Sequence, residues 1–422
     1  MSDFETMKTT LTLKTQTAEK LLTPLTPDAI QFTAQESPAP GIALSLSGGG
    51  YRAMLFHLGT LWRLNMAGAL PRLSRVSSVS GGSITSGVLG MNWAQLAFDQ
   101  TSGVASNFVE EIVNPVRNLA NQTIFDSSSL LTEIIGAVEN IFDPKHVINA
   151  YRKYLFGTKT LQDLPGESAN DYTPRFVFNA TNLQSGSLWR FSKPFMADWR
   201  VGMIDNPIVE LAVAVAASSA FPIGLPPVHL KLDPTTVKEM PGATLNVPPY
   251  TEEAILVDGG VYDNMGIETA WKANTMVLVS DAGGLTGPDP HPKFGGRDLG
   301  RVFGLIDNQV ESLRKRQVIG SYELPPDNPL HRDGAYWGIG SDIANYGLPP
   351  DQHLDCPFDQ TIKLAQVATV LQTLGETLQE RLINWGFAIC DVALRAHCVE
   401  ALTKFGITLT RPTDFPYPDA KV

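Results

Sequence analysis

The stretch from Gly41 to Phe98 constrains the fold more than any other, because twice in it an apolar run ends in a glycine-rich corner and gives way to a helical pattern. Gly41–Ser47 (GIALSLS) alternates, with Ile42, Leu44 and Leu46 on one side, as a strand does. Gly48-Gly49-Gly50 follows at once. From Tyr51 to Ala67, Leu55, Leu58 and Trp62 recur at helical spacing, and Gly68 supplies a stop. Arg75–Val79 reads as a second short strand, Ser80-Gly81-Gly82 as a tight turn, and Ser83–Phe98 as another helix. The order strand, loop, helix, strand, turn, helix is a βαβα unit, which implies a parallel sheet.

The rest of the chain can be read against that unit. Residues 1–40 are polar and punctuated by proline, and read as an N-terminal arm. Residues 99–170 turn helical, with Phe108, Ile112 and Val116 on one face and Leu131, Ile134, Ile135 and Val138 on another, as in an inserted cap. Phe176–Asn182 and Ser187–Phe191 read as paired strands around Gln184-Ser185-Gly186. Pro207–Phe221 reads as a helix capped by Asn206. Ala254–Val257 and Thr275–Ser280 are short apolar runs, as expected of strands buried on both faces. Leu299–Ile319 and Thr361–Thr403 read as largely helical. The expected organisation is an arm (1–40), a catalytic core (41–285) and a mainly helical C-terminal extension (286–422) packed on it.

With 43% hydrophobic and 18% charged residues the chain can bury a large core. Its net charge of −11 argues against broad nucleic-acid binding and against simple electrostatic docking on anionic membranes. Cys356, Cys390 and Cys398 have neither disulfide-framework nor zinc spacing and read as reduced core thiols. The polar N-terminus lacks the apolar core of a signal peptide, and no long uncharged apolar run follows. The expected location is cytoplasmic, with transient contact at a membrane surface left open.

Three corners carry candidate chemistry. Ser47-Gly48-Gly49-Gly50-Tyr51-Arg52 opens a helix, where free N–H groups and a partial positive charge can hold a phosphate or an oxyanion. A dinucleotide site would need a glycine at position 53, which is Ala53, and a downstream acid, yet residues 51–98 contain no Asp or Glu. Ser78-Val79-Ser80-Gly81-Gly82 has the form of a nucleophile elbow, with Ser80 at its apex, Ser78 at the strand end and Ser83 in the first helical turn. Val257-Asp258-Gly259-Gly260 ends an apolar strand, with Asp281-Ala282-Gly283-Gly284 as a competing acidic corner. Each corner alone is also readable as an ordinary turn.

Taken in order, SGGGYR, SVSGG and VDGG resemble the patatin-like phospholipase family, and AASSAFP and VDGGVYDN extend the resemblance over about Gly41 to Ala282. The resemblance implies a three-layer α/β/α sandwich with a mostly parallel central sheet. It also implies a Ser–Asp dyad in which Ser80 is nucleophile and Asp258 proton acceptor, an oxyanion-hole motif of Gly48, Gly49, Gly50 and Arg52, and motif positions at Ser78, Gly82, Gly259 and Gly260. No cofactor or metal is implied, and the substrate class is a lipid or phospholipid ester. Ser78, Ser47 and Ala53 depart from the family pattern.

Other residues leave alternatives open. His57 reads as a buried, satisfied histidine. His291, His331, His353 or His397 could complete the triad of an α/β-hydrolase-type esterase. A non-catalytic lipid-binding protein on the same fold is a third reading. Tyr262, Asp263 and Asn264 read as loop-fixing residues, and Phe221, Ile223 and Leu225 as core residues that could also line an acyl channel. Head group, chain length and oligomeric state are not readable from sequence.

Overall fold

The computed structural model describes residues 38–125, 144–166, 173–222, 225–284, 287–291 and 296–422. Among the described residues one ten-stranded sheet forms the centre. Its strands are β1 (Ala39–Leu46), β2 (Leu73–Ser78), β3 (Arg175–Asn182), β4 (Ser187–Phe191), β5 (Phe195–Asp198), β6 (Gly202–Asp205), β7 (Val228–Lys231), β8 (Glu253–Asp258), β9 (Asn274–Asp281) and β10 (Asp333–Gly338). The helices that matter for the site are α1 (Gly50–Met66), α2 (Gly81–Met91), α3 (Leu211–Ser218), α4 (Gly260–Asp263), α5 (Ile267–Trp271), α6 (Gly296–Glu323) and α7 (Glu376–His397).

The βαβα unit forms in the order read, with β1 parallel to β2, although α2 ends at Met91 and not at Phe98 as expected. The order β10-β9-β1-β2-β3 is parallel throughout. Beyond β3 the sheet turns antiparallel through β4, β5 and β6, and β8 pairs antiparallel with β3 and β7. The centre of the sheet is thus parallel as expected, and the antiparallel strands beyond β3 make the whole sheet mixed. Short connections such as Leu183–Gly186 between β3 and β4 permit only antiparallel return.

The register on β3 places the two acidic and serine corners. β2 pairs with the first half of β3, ending at Ser78 opposite Phe178. β8 pairs with the second half, ending at Asp258 opposite Ala180. Because β4 occupies the other edge of β3 over the same residues, β2 and β8 must share one edge. They run toward each other along it, so their C-terminal ends meet head to head across Asn179.

Side-chain alternation along β1 separates the two faces of the sheet. Ile42, Leu44 and Leu46 point into a large core with α1, α2, α3 and α7. Ala43 points the other way, into a smaller core with Ile267, Ala270 and Trp271 of α5 and Val318 of α6. This gives the three α/β/α layers. The C-terminal residues belong to those layers: β10 extends the sheet, and α7 packs along α1. That packing is close because glycines face backbone at the crossing. A Cβ on Gly386 would lie 1.9 Å from the Phe56 carbonyl oxygen, and one on Gly59 would lie 1.9 Å from that of Ile383. Arg63 of α1 is paired with Asp391 of α7 at 2.8 Å with both side chains buried.

Two sequence expectations shift. The helix expected over 207–221 is confined to Leu211–Ser218. Leu161 N–H donates to the Val209 carbonyl, and Thr160 bridges Glu210, which holds the preceding residues extended. Asn206 adopts φ 45° instead of capping the helix. In the insertion, Phe108, Ile112 and Val116 are buried as expected, whereas Leu131, Ile134, Ile135 and Val138 lie outside the described residues.

The α1–α7 crossing yields a stability prediction. Gly386→Ala forces a methyl into the Phe56 backbone and is expected to cost about 3 kcal/mol or more. Gly375→Ala, where an added Cβ meets nothing within 4 Å, is expected to stay within about 0.5 kcal/mol of wild type. Denaturant unfolding of both variants checks the pair.

Candidate active site

Ser80 occupies the corner between β2 and α2 with φ 50° and ψ −118°. A non-glycine residue in this region stores roughly 1–3 kcal/mol of strain and persists only where its surroundings over-determine it. They do so here. Gly82 N–H donates to the carbonyls of Val79 (2.9 Å) and Ser47 (3.2 Å), and Ser80 N–H donates to the Ser218 carbonyl (3.1 Å). Gly81 and Gly82 are required by space, since added Cβ atoms would lie 2.2 Å from the Gly50 oxygen and 2.5 Å from the Leu46 oxygen. Ser78, where the family pattern has glycine, is used beneath the turn: its oxygen accepts from Ser83 (3.1 Å) and Ser86 (2.7 Å). Ser83 is thus a support, leaving Ser80 at the apex.

Asp258 meets Ser80 from the opposite direction. Its carboxyl accepts from Gly260 N–H at 2.7 Å and lies near enough to the Ser80 hydroxyl for that group to favour its charged form. Burial pushes its pKa up to about 7, aided by the nearby Asp307 and opposed by the Gly260 hydrogen bond and the Ser80 hydroxyl. Gly259 can carry no side chain, because a Cβ would lie 2.3 Å from the Asn179 oxygen. One short segment staples the two corners: Ser218 receives Ser80 N–H, and Ala220 receives Asp258 N–H at 2.9 Å. Asn179, lying between the strand ends, donates to Ser77 Oγ and the Ser78 carbonyl and accepts from Ser218 Oγ at 2.6 Å. Tyr151, from the insertion, reaches Ser219 at 3.3 Å. The sequence reading missed Asn179, Ser218 as a staple, Tyr151 and Asp307.

The glycine loop passes beside Ser80: a Cβ on Gly48 would lie 3.2 Å from that of Ser80. Gly48 N–H donates to the Asn264 carbonyl, whereas Gly49 and Gly50 N–H have no acceptor among the described residues. Gly49 and Gly50 adopt φ 139° and 61°, which suits glycine. Arg52 does not extend into the corner. Its Nε and Nη2 donate to the Ala282 carbonyl (3.2 and 2.9 Å) and its Nη1 donates to that of Val367. It therefore clamps the loop from behind. Tyr51 N–H donates to Val370 at 3.0 Å, so residues 367–370 back the loop.

His57 is fully buried in a one-way chain of donors. Trp337 Nε1 donates to Thr60 (3.2 Å), Thr60 meets Ser280 (3.1 Å), Ser280 meets His57 Nδ1 (2.9 Å) and His57 Nε2 meets the Ser47 carbonyl (2.9 Å). A carbonyl only accepts, so Nε2 carries the proton and Nδ1 accepts from Ser280. Burial holds the imidazole neutral, with its pKa lowered to about 4. Neither Ser80 nor Asp258 has a histidine partner among the described residues. His397 stacks near Tyr346, His331 faces Asp333 and His353 bonds the Leu354 carbonyl.

The competing corner is occupied differently. Asp281 accepts from Tyr336 (2.6 Å) and Gly283 N–H (2.9 Å) and faces Glu311, whose carboxyl is held well above the usual carboxylate range by burial and by Asp281. It lines a cavity of about 900 Å³ whose walls include Glu311 and Tyr336 but neither Ser80 nor Asp258. Asp263 is a structural anchor: it faces Arg314 of α6 at 3.6 Å, and Tyr262 gives its carbonyl to Arg314 at 3.3 Å. Phe221 is 41% exposed and Leu225 packs on the main core, while Ile223 lies outside the described residues. The three cysteines are free and buried.

An α/β protein whose serine and aspartate corners meet on one strand, beside a glycine loop at a helix start, belongs to a narrow structural class. The family description "Patatin-like phospholipase" matches residues 44–271, more than half of the chain. The protein belongs to the patatin-like phospholipase family. It is 30% identical over 120 residues to a lysophospholipase of Kluyveromyces lactis, a match spanning 26% of this chain and 19% of the yeast protein. Human GIVD cytosolic phospholipase A2, solved with methyl gamma-linolenyl fluorophosphonate and terbium chloride, superposes with a TM-score of 0.49 at 12% identity, over 92% of this chain and 63% of the human one. VipD from Legionella pneumophila superposes with a TM-score of 0.37 at 15% identity, over 85% of this chain and 67% of its own. Among the described residues no helix is long and apolar enough to cross a membrane.

Two buried groups with opposite shifts make opposite stability predictions. His57 is lowered to about 4, so the unfolded chain takes up the proton first. Its contribution is intact above about pH 6.5 and falls by about 3 kcal/mol as pH drops toward 4. The stability gap between wild type and His57→Gln is expected to narrow from pH 7 to pH ~4.5 in denaturant titrations. Asp258 is raised to about 7, so the folded state holds the proton longer. Stability present below about pH 4 is lost as pH rises through 7, by up to about 4 kcal/mol. Asp258→Asn is expected to gain stability over wild type at pH ~8 and little at pH ~4.

Proposed function

We propose that this protein is a lipid acyl hydrolase that cleaves carboxylic esters through a Ser80–Asp258 dyad and an acyl-enzyme. The observation that carries this reading is the head-on meeting of the strained Ser80 corner with the buried Asp258 corner along one edge of β3, with no histidine partner at either among the described residues. An ordinary aspartate, near pKa ~4, is a poor base for an alcohol. Burial brings Asp258 to about 7, where it is part-ionised at neutral pH and a stronger proton acceptor.

In the proposed sequence, Asp258 takes the Ser80 proton as Oγ bonds to the ester carbonyl carbon, and the carbonyl oxygen becomes an oxyanion. The oxyanion is received by the N–H groups of Gly49 and Gly50 at the start of α1, where the helix dipole adds positive potential. Collapse expels the alcohol, which takes the proton from Asp258, and leaves acyl-Ser80. Water then gives its proton to Asp258 and attacks the acyl carbon, releasing the fatty acid and restoring Ser80. Arg52 acts here as the clamp that fixes the glycine loop, and Ser78, Gly82, Gly259 and Gly260 shape the two corners. No step requires a metal. The proposed substrate is a lipid or phospholipid ester met at a membrane surface from the cytoplasm. Residues 41–285 supply the reactive corners, and the C-terminal segment backs them.

The test has three arms. A fluorophosphonate probe is expected to label Ser80, shown by peptide mass spectrometry, and to leave Ser80→Ala unlabelled. With a water-soluble p-nitrophenyl ester, kcat/KM is expected to rise with pH through an apparent pKa near that of Asp258 and to fall by about 10²–10⁴ in Asp258→Asn. His291→Gln, His331→Gln, His353→Gln and His397→Gln are expected to retain wild-type rates. An essential histidine among these four, or labelling of another serine, overturns the dyad.

A further inference from the structure

Helix α6 is amphipathic in the reverse of the usual sense. A surface helix normally turns its apolar side chains to the core and its charges to water. On α6, Val302, Leu305, Ile306, Val310 and Leu313 recur at helical spacing and are 36 to 59% exposed. The opposite side carries the charges inward. Asp307 lies close enough to Asp258 to raise it. Glu311 faces Asp281. Arg314 is buried against Asp263 and Glu268 at 3.6 Å each. Arg301 and Arg316 stand toward the two ends of the apolar stripe.

The position of this helix matters as much as its pattern. It packs against α4, which follows directly on Asp258, and Arg314 fixes the two together through the Tyr262 carbonyl. Val261 on α4 is itself 49% exposed. An exposed apolar side chain thus also stands on the short helix that follows the proposed base and packs against α6.

We propose that the outward face of α6 is the lipid-docking surface of this protein, inserting its aliphatic side chains into the boundary of a bilayer so that an ester enters beside Ser80. The inference rests on reading the site as a lipid hydrolase. Three observations favour lipid over a protein partner. The stripe runs only about 17 Å along the helix, and five half-exposed aliphatic side chains fall short of the about 800 Å² per partner of a stable protein interface. The charges toward the ends of the stripe are Arg301 and Arg316, and Asp307 and Glu311 beside it face inward, the arrangement of an interfacial helix. The chain as a whole carries −11, so attachment to an anionic surface must be local and mainly apolar.

The experiment is flotation of the full-length protein with phosphatidylcholine vesicles containing a minority of phosphatidylglycerol. Wild type and Ser80→Ala are expected to float equally. Ile306→Glu/Leu313→Glu, with both changes at exposed positions, is expected to bind ~10²-fold more weakly with an unchanged thermal midpoint. The inference falls if wild type stays in solution, or if the double variant floats like wild type. It also falls if light scattering shows a dimer that the double variant converts to monomer while neither floats. Its failure is separable from failure of the hydrolase reading. Flotation of wild type without ester hydrolysis removes the hydrolase and keeps the docking face. Ser80 labelling and hydrolysis without flotation does the reverse.

Discussion

The site depends on two strands sharing one edge of a third. β2 arrives parallel to β3 and stops at Ser78, and β8 arrives antiparallel and stops at Asp258, opposite Phe178 and Ala180 respectively. Two residues of strand span about 7 Å, so the hydroxyl and the carboxyl are brought together by backbone pairing before any side chain is chosen. Everything else in the neighbourhood makes that meeting tolerable. Glycines 81, 82 and 259 leave room for carbonyls, and Asn179 with Ser218 satisfies the polar groups exposed where the two ladders end. A wholly parallel sheet would have no place for such a head-on approach; the antiparallel arrival of β8 is what permits it.

The chemistry and the stability of this corner pull in opposite directions. Ser80 stores backbone strain, and a carboxyl buried beside Asp307 resists ionisation. Both are costs in the resting fold, and both are useful if Asp258 has to accept a proton near neutrality. The structure offsets them with buried polar scaffolding around the corner. The donor chain from Trp337 to the Ser47 carbonyl ties the C-terminal strand, the glycine loop and β9 into one polar unit. The Arg63–Asp391 pair does the same for the two long helices.

Much of this was legible beforehand. The alternation of Ile42, Leu44 and Leu46, the three glycine corners and the apolar run before Asp258 each express a local rule, and each formed within a residue or two of its expected bounds. What escaped the sequence was long-range. The short strands β5, β6 and β7 have too few residues for alternation to speak. Glu210 rather than Asn206 starts α3 because a distant segment, Thr160–Leu161, holds the residues before it extended. Arg52 was legible only as a motif position, because its partners, the carbonyls of Ala282 and Val367, lie more than two hundred residues away. Ser78 looked like a departure from pattern until Ser83 and Ser86 were found bonded to it.

The backing of the glycine loop by residues 367–370 has an evolutionary corollary. Val370 receives Tyr51 N–H, and its backbone fills the space where a Cβ of Gly50 would sit. The segment matched by the family, 44–271, is thus not a cassette that recombination could lift out and graft elsewhere with its loop intact. The loop takes its shape partly from main-chain atoms that lie about a hundred residues beyond the matched segment.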